Sequence, residues 1–284
     1  MPHGRRARLA TCLMLALVTA CGGSSSDVTT PDGSGPPPEQ PPPPPEQPPP
    51  PPPPPGTTVT NPDPIGAGAR VLFLGNSLTE FNNLPSLVRS LSAAARLNWI
   101  VEAQTVGGGA LEDHWNRGTA VPRIQSGNWD VVVLQQGPSA LPESRVNLRQ
   151  WTVRFNNVIQ EAGGRSALYM VWPMTDRFSD YDRVRDSYAL AARDVSGYFL
   201  PAGESWRAAW RVTPSLALYG SDGFHPTLAG SYAAALTIFG ALSGHPLDGL
   251  PAPTGMDVQT AELLQRSAQQ AIEAYGDYQP PNVP

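Results

Sequence analysis

Lysine is absent from this chain of 284 residues; all 19 basic residues are arginine. That excludes Schiff-base chemistry, a pyridoxal phosphate anchor, a Walker A phosphate loop and a kinase lysine together, because each needs an ε-amine. Cysteine is scarce as well, with two in the chain, Cys12 and Cys21. Cys12 lies in a segment that reads as removable, so the mature chain would keep one thiol. Neither an intramolecular disulfide nor a cysteine metal site can then form, and stability must come from an apolar core. The formal net charge is −5 and the pI near 5.4, with no basic stripe. That balance argues against a nucleic-acid partner.

The first 21 residues have the layout of a bacterial export signal. Arg5, Arg6 and Arg8 precede an apolar run from Leu9 to Val18. The run is too short to cross a bilayer stably, which favours a cleaved signal over a transmembrane helix. Val18-Thr19-Ala20-Cys21 resembles a lipobox, which implies lipid attachment at Cys21; the alternative is an ordinary secretory signal with an incidental cysteine. Gly22 stands where an aspartate would suggest inner-membrane retention. The expected location is therefore extracytoplasmic, on the outer membrane if the cell has two, or secreted without lipid. Residues 22–68 read as a disordered linker, with a proline tract from Pro36 to Pro55 broken only by Glu39-Gln40 and Glu46-Gln47. As polyproline II, at about 3.1 Å per residue, the tract would reach ~60 Å.

Residues 69–278 read as one domain and 279–284 as a disordered tail. Val71-Leu72-Phe73-Leu74 and Val131-Val132-Val133-Leu134 are short continuous apolar runs, the pattern of strands buried on both faces. Ile100 to Val106, Ala167 to Trp172 and Tyr198-Phe199-Leu200 read as further strands. Between them, Leu84, Leu87, Val88, Leu91 and Ala94 repeat at helical spacing, as do Trp151, Phe155, Val158 and Ile159. A helix begins near Tyr181, the last core helix starts at Pro226, and another covers 258–274. Alternating strands and helices imply an α/β fold, a three-layer α/β/α sandwich around about five parallel strands. Sites in such sheets form beyond the carboxyl ends of the strands. Ser77, Gly107-Gly108-Gly109, Gln135-Gln136-Gly137 and Trp172-Pro173-Met174 all follow strands, so they should meet at one rim.

Two segments at that rim carry nucleophilic chemistry. Gly75-Asn76-Ser77-Leu78-Thr79 puts a serine after a strand, and Asp222-Gly223-Phe224-His225 puts a carboxylate and an imidazole three residues apart before a helix. A serine hydroxyl needs a base to take its proton, and the base needs a partner to fix its tautomer. Ser77 could also be a capping serine, and Asp222 and His225 helix-cap residues. In type and order the segments resemble the blocks of the SGNH (GDSL-type) hydrolases. The resemblance runs from Val71 to about Gly244. It implies Ser77 as nucleophile, His225 as base and Asp222 as its orienting acid. It also implies an oxyanion hole from the backbone amides of Ser77 and Gly108. The third block departs from the family pattern Gly-x-Asn-Asp: Pro138-Ser139-Ala140 follows Gly137 and the asparagine is missing. Leu134-Gln135 matches other branches, so Gln135 is the expected third donor, with Gln136 and Ser139 as substitutes.

Glu112, Asp113 and His114 include too few strong ligands to suggest a metal, and they read as a solvated helix start. No metal or cofactor is expected. Trp115, Trp206 and Trp210 could stack on sugar rings, although tryptophans pack cores more often. The sequence thus reads as a tethered hydrolase of short acyl esters such as acetylated carbohydrates, monomer favoured, touching a membrane only through its lipid. A lipase or thioesterase for longer chains, or a binding module that has lost turnover, are the alternatives.

Overall fold

Strands whose side chains are apolar on both faces must be covered on both faces, and the chain supplies helices to do so. The computed structural model describes residues 58–281. The expected export signal, Cys21 and the expected linker as far as residue 57 lie outside the described residues, as do 282–284. In chain order the elements are β1 (Val59–Thr60), β2 (Arg70–Gly75), α1 (Ser77–Glu80), α2 (Leu84–Ala94), β3 (Ile100–Thr105), α3 (Leu111–Asn116), α4 (Ala120–Ser126) and β4 (Val131–Leu134). There follow α5 (Pro142–Glu161), β5 (Arg165–Tyr169), α6 (Tyr181–Asp194), β6 (Tyr198–Leu200), α7 (Ala202–Val212), α8 (Leu228–Ser243), α9 (Val258–Tyr275) and β7 (Asp277–Tyr278).

The central sheet has five parallel strands in the order β3-β2-β4-β5-β6. From β2 the chain crosses to one side to form β3, then returns past β2 to form β4. The exits of β2 and β4 therefore part company at the point where the winding reverses, which is where doubly wound sheets leave a crevice. Register places Leu74 beside Leu134 and Gly75 beside Thr105. Ser77 follows β2 directly, so the topology alone delivers it to that crevice.

Helices α2, α7, α8 and α9 pack on one another, and α3 to α6 form a second group. Every residue of α8 from Gly230 to Leu242 is buried. A helix apolar all round belongs inside, and α8 lies against α2, α7 and α9. No helix among the described residues is long and apolar enough to cross a membrane.

Several expected boundaries move. The linker ends earlier than residue 68, because β1 pairs antiparallel with β7 and Val59 and Ile65 are buried. Asn61 gives its amide to the Phe199 carbonyl at 3.3 Å and accepts the Phe199 N–H at 2.7 Å. This side chain caps the open edge of β6, which explains a fully buried edge strand. The expected disordered tail likewise begins later than 279, since Gln279 donates to Thr58 Oγ1 at 2.8 Å. The strand read through Trp172 stops at Tyr169, although Met170 to Trp172 stay buried. The last core helix starts at Leu228 instead of Pro226. Pro226 sits in an antiparallel bridge with Tyr219, and Thr227 caps the helix through Gly230 N at 3.2 Å.

A buried ionic network joins α6, α7 and β7. Arg185 contacts Asp182 at 2.9 Å, Asp186 at 3.0 Å and Tyr278 Oη at 2.9 Å, while Arg207 bonds Glu204 at 3.0 Å and Asp182 at 2.8 Å. Burial raises the Glu204 carboxyl, and the two guanidinium groups oppose that rise. Removing one partner of such a network leaves charge buried without compensation, at about 3–5 kcal/mol. Arg185→Ala should therefore lower the unfolding free energy by about that much in urea titrations; a loss of well under 1 kcal/mol would contradict this reading.

Candidate active site

The turn after β2 is built by polar groups that satisfy one another out of solvent. Asn76 caps α1, its Oδ1 accepting Leu78 N–H at 3.0 Å, and this cap turns the chain so that Ser77 opens the helix. Gly75 is required by space: a Cβ there would collide with Thr79 Oγ1 and lie 2.6 Å from Gln135 Oε1. Ser77 itself is half-buried.

Gln135 is placed differently from the sequence expectation. Its Oε1 accepts from Asn76 N–H at 2.9 Å and Thr79 Oγ1–H at 2.7 Å. Its Nε2 donates to Asn76 Oδ1 at 2.9 Å and to the Gln136 carbonyl at 2.5 Å. The side chain is fully buried with both amide hydrogens engaged, so it braces the serine turn and offers no donor to an oxyanion. The substitutes are engaged too. Gln136 Nε2 donates to Ser139 Oγ at 3.0 Å, and the Ser139 hydroxyl donates to Gly137 O at 3.2 Å.

The glycine loop after β3 is tied to the serine turn by Asn76 Nδ2, which donates to Gly109 O at 3.1 Å. Gly109 N–H closes the turn on Val106 O at 2.8 Å. Among the described residues the backbone N–H groups of Ser77 and Gly108 have no acceptor within the protein. The cluster after this loop points three ways. Asp113 accepts Ala110 N–H at 2.8 Å, Glu112 accepts from Asn147 Nδ2 at 3.0 Å, and His114 is buried with Nε2 on Gly75 O at 2.8 Å. A carbonyl only accepts, so His114 carries its proton on Nε2 and holds the end of β2 from below. The sequence reading of a solvated helix start misses this, because burial of a single imidazole leaves no pattern.

The imidazole of His225 arrives on the loop before α8. Asp222 Oδ1 accepts Phe224 N–H at 3.0 Å and His225 N–H at 2.9 Å, and Gly220 N–H donates to His225 O at 2.7 Å. Gly223 takes φ +67, where a side chain would also strike Thr175 Oγ1. Beneath the loop, the Trp172 indole donates to Phe224 O at 2.9 Å and Tyr219 Oη donates to Pro173 O at 2.7 Å. Trp172 stacks on Trp206 with centroids 3.6 Å apart. Trp206 and Trp210 are core residues supporting this loop, which removes them as sugar platforms; Trp115 is half-buried against Trp151 and Phe155.

Ser77, His225 and Asp222 meet in one line. Ser77 Oγ lies 2.9 Å from His225 Nε2, and His225 Nδ1 lies 2.5 Å from Asp222 Oδ2. Hydrogen bonds from His225 and from two backbone N–H groups hold the Asp222 carboxyl down to about 2. The carboxylate is thus ionised at neutral pH and accepts from Nδ1–H, leaving Nε2 to face the serine. The Asp222 side chain is nonetheless 51% exposed. Phe81 stacks on the imidazole with centroids 4.0 Å apart and an interplanar angle of 15°.

No protein-family model matches the sequence, and no curated protein matches it. Solved structures do. A candidate SGNH hydrolase from Slackia heliotrinireducens is 26% identical, with 62% of this chain and 100% of that chain covered at a TM-score of 0.54. The chain has the SGNH-hydrolase fold. A DUF4886 family protein from Bacteroides uniformis is similar in fold, at 20% identity, covering 75% of this chain and 98% of that chain with a TM-score of 0.64. Within this SGNH-type frame, the line from Ser77 to Asp222 sits at the carboxyl ends of the strands.

Burial lowers the affinity of His114 for a proton from its ordinary value of 6.5. The unfolded chain binds that proton more readily, so this contribution to stability is complete above pH ~6.5 and is lost as pH falls through the lowered value. The urea midpoint should drop between pH 7.5 and 5.5, and drop less in His114→Gln; an identical drop in both proteins would contradict the assignment.

Proposed function

We propose that the protein is a serine-dependent carboxylic ester hydrolase that removes short acyl groups, acetyl foremost, from extracytoplasmic substrates such as acylated carbohydrates. The observation that carries this reading is the unbroken line Ser77 Oγ, His225, Asp222, at 2.9 and 2.5 Å. As Ser77 Oγ bonds to the ester carbonyl carbon, His225 Nε2 takes its proton, and Asp222 supports the imidazolium through Nδ1–H. The negative charge that develops on the carbonyl oxygen meets the N–H groups of Ser77 and Gly108. Collapse breaks the bond to the alcohol, which leaves with the proton from His225. Water then attacks the acyl-serine with the same proton relay, releasing the acid and restoring Ser77.

A small cavity lies beside the loop that carries His225, with neither Ser77 nor His225 in its lining. It holds about 190 Å³ and is lined by Pro138, Leu141, Pro173, Met174 and Phe224 among others, the last directly before the base. That is below the roughly 300–1,000 Å³ of sites for drug-sized ligands. The export signal, Cys21 and the proline tract support a lipid-anchored catalytic domain held away from a membrane.

Ser77→Ala should abolish hydrolysis of p-nitrophenyl acetate while leaving circular dichroism and thermal midpoint unchanged; turnover equal to wild type would refute the proposal. With the wild-type chain, kcat/KM should fall more than about tenfold from acetyl to octanoyl esters if the acyl group enters the cavity beside Phe224, which is small for a ligand site; a rise would favour a lipase. Asp222→Asn should lower kcat by about 10²–10⁴ with little change in KM, because the imidazole loses its tautomer control.

A further inference from the structure

We infer that Phe81 is a positioning residue for the base: it holds the His225 ring in the plane that faces Ser77, and Asn82 locks it there. The inference rests on His225 acting as proposed above. Its starting point is the exposure of Asp222. A carboxylate in a serine triad usually orients its imidazole from a buried site, whereas the Asp222 side chain is half exposed, so water can compete for its hydrogen bond to the ring. Ring packing can add a restraint to the hydrogen bonds at its two nitrogens. Phe81 covers one face at 4.0 Å and 15°, and Phe224 meets the ring edge-on at 5.4 Å and 63°. The imidazole is thus bracketed on two sides before any substrate arrives.

Phe81 is itself 42% exposed, so core packing does not account for its position. The residues after it are built to hold it. Asn82 and Asn83 both adopt left-handed backbone conformations, with φ 53 and 50, which asparagine tolerates better than most residues. Asn82 Nδ2 donates to the Pro226 carbonyl at 3.0 Å and to Ser231 Oγ at 2.9 Å. Pro226 directly follows the base, and Ser231 lies in the first turns of α8. One amide therefore fastens the segment after the nucleophile to the segment that delivers the base, so Phe81 and His225 keep their spacing. The stack has a second effect during turnover: when Nε2 takes the serine proton, the resulting cation lies over an aromatic face, an attractive arrangement.

The test is kinetic and spectroscopic, on the whole chain. Phe81→Leu should lower kcat for p-nitrophenyl acetate by about 3–10-fold with KM within about twofold, the range expected for losing one aromatic contact. Phe81→Tyr should restore kcat to near the wild-type value, and Asn82→Ala should reproduce the fall. In proton NMR, the His225 ring signals, assigned by their loss in His225→Gln, should move downfield in Phe81→Leu as the ring-current shielding disappears. An unchanged kcat, a fall that tyrosine does not restore, or unmoved ring signals would overturn the inference. The NMR arm does not depend on turnover. A wild-type protein without esterase activity would therefore defeat the functional reading while leaving the stack separately decided.

Discussion

One hydrogen bond, from Ser77 Oγ to His225 Nε2, joins parts of the chain 148 residues apart, and much of the structure serves to make it. The serine is delivered by sheet topology: β2 is an interior strand, and the winding reverses on either side of it, so its exit opens into a crevice. The imidazole is delivered by an irregular loop, which has no ladder of its own to set its position. That loop is held instead by Trp172, Tyr219 and the bridge between Tyr219 and Pro226, with the Trp172–Trp206 stack beneath. A rigid strand end meets a loop made rigid by aromatic packing.

Around the serine, buried polar groups are spent on the turn itself. Asn76, Thr79 and Gln135 close a set of hydrogen bonds in which Gln135 uses both its oxygen and its nitrogen. Such a set specifies one geometry, because loosening any member leaves a buried polar group without a partner. In the proposed chemistry, oxyanion stabilisation would therefore fall on backbone N–H groups, those of Ser77 and Gly108. His114, under Gly75, adds a further restraint on the same strand end.

Much of this was legible in advance, for physical reasons that also mark the limit. Val71 to Leu74 and Val131 to Leu134 read as buried parallel strands because the runs are short, rich in β-branched and large apolar residues, and followed directly by Gly or Gln-Gln-Gly. The serine and the glycine loop each follow a strand, which puts both on one rim, while the Asp-x-x-His segment joins them only through the resemblance to the SGNH blocks. Gln135 was misread because an amide at a strand end can face the site or the core with equal ease, and only its neighbours decide. The strap of residues 58–68 carries no periodicity; its order comes from Asn61 on the edge of β6 and from pairing with β7 at the far end of the chain. Pro226 looks like a first helical residue, but its bridge to Tyr219 delays the helix to Leu228. Phe81 gave no signal at all, since stacking on a distant imidazole is a tertiary fact.

The claim that Ser77 is an activated nucleophile can be tested without knowing the natural substrate. A fluorophosphonate reacts with a serine only where a base withdraws its proton. Incubation of the intact protein with such a probe, followed by peptide mass spectrometry, should find one adduct, on the peptide containing Ser77. That adduct should be absent from His225→Gln. Failure to label folded wild-type protein, or labelling elsewhere with Ser77 untouched, would contradict the account.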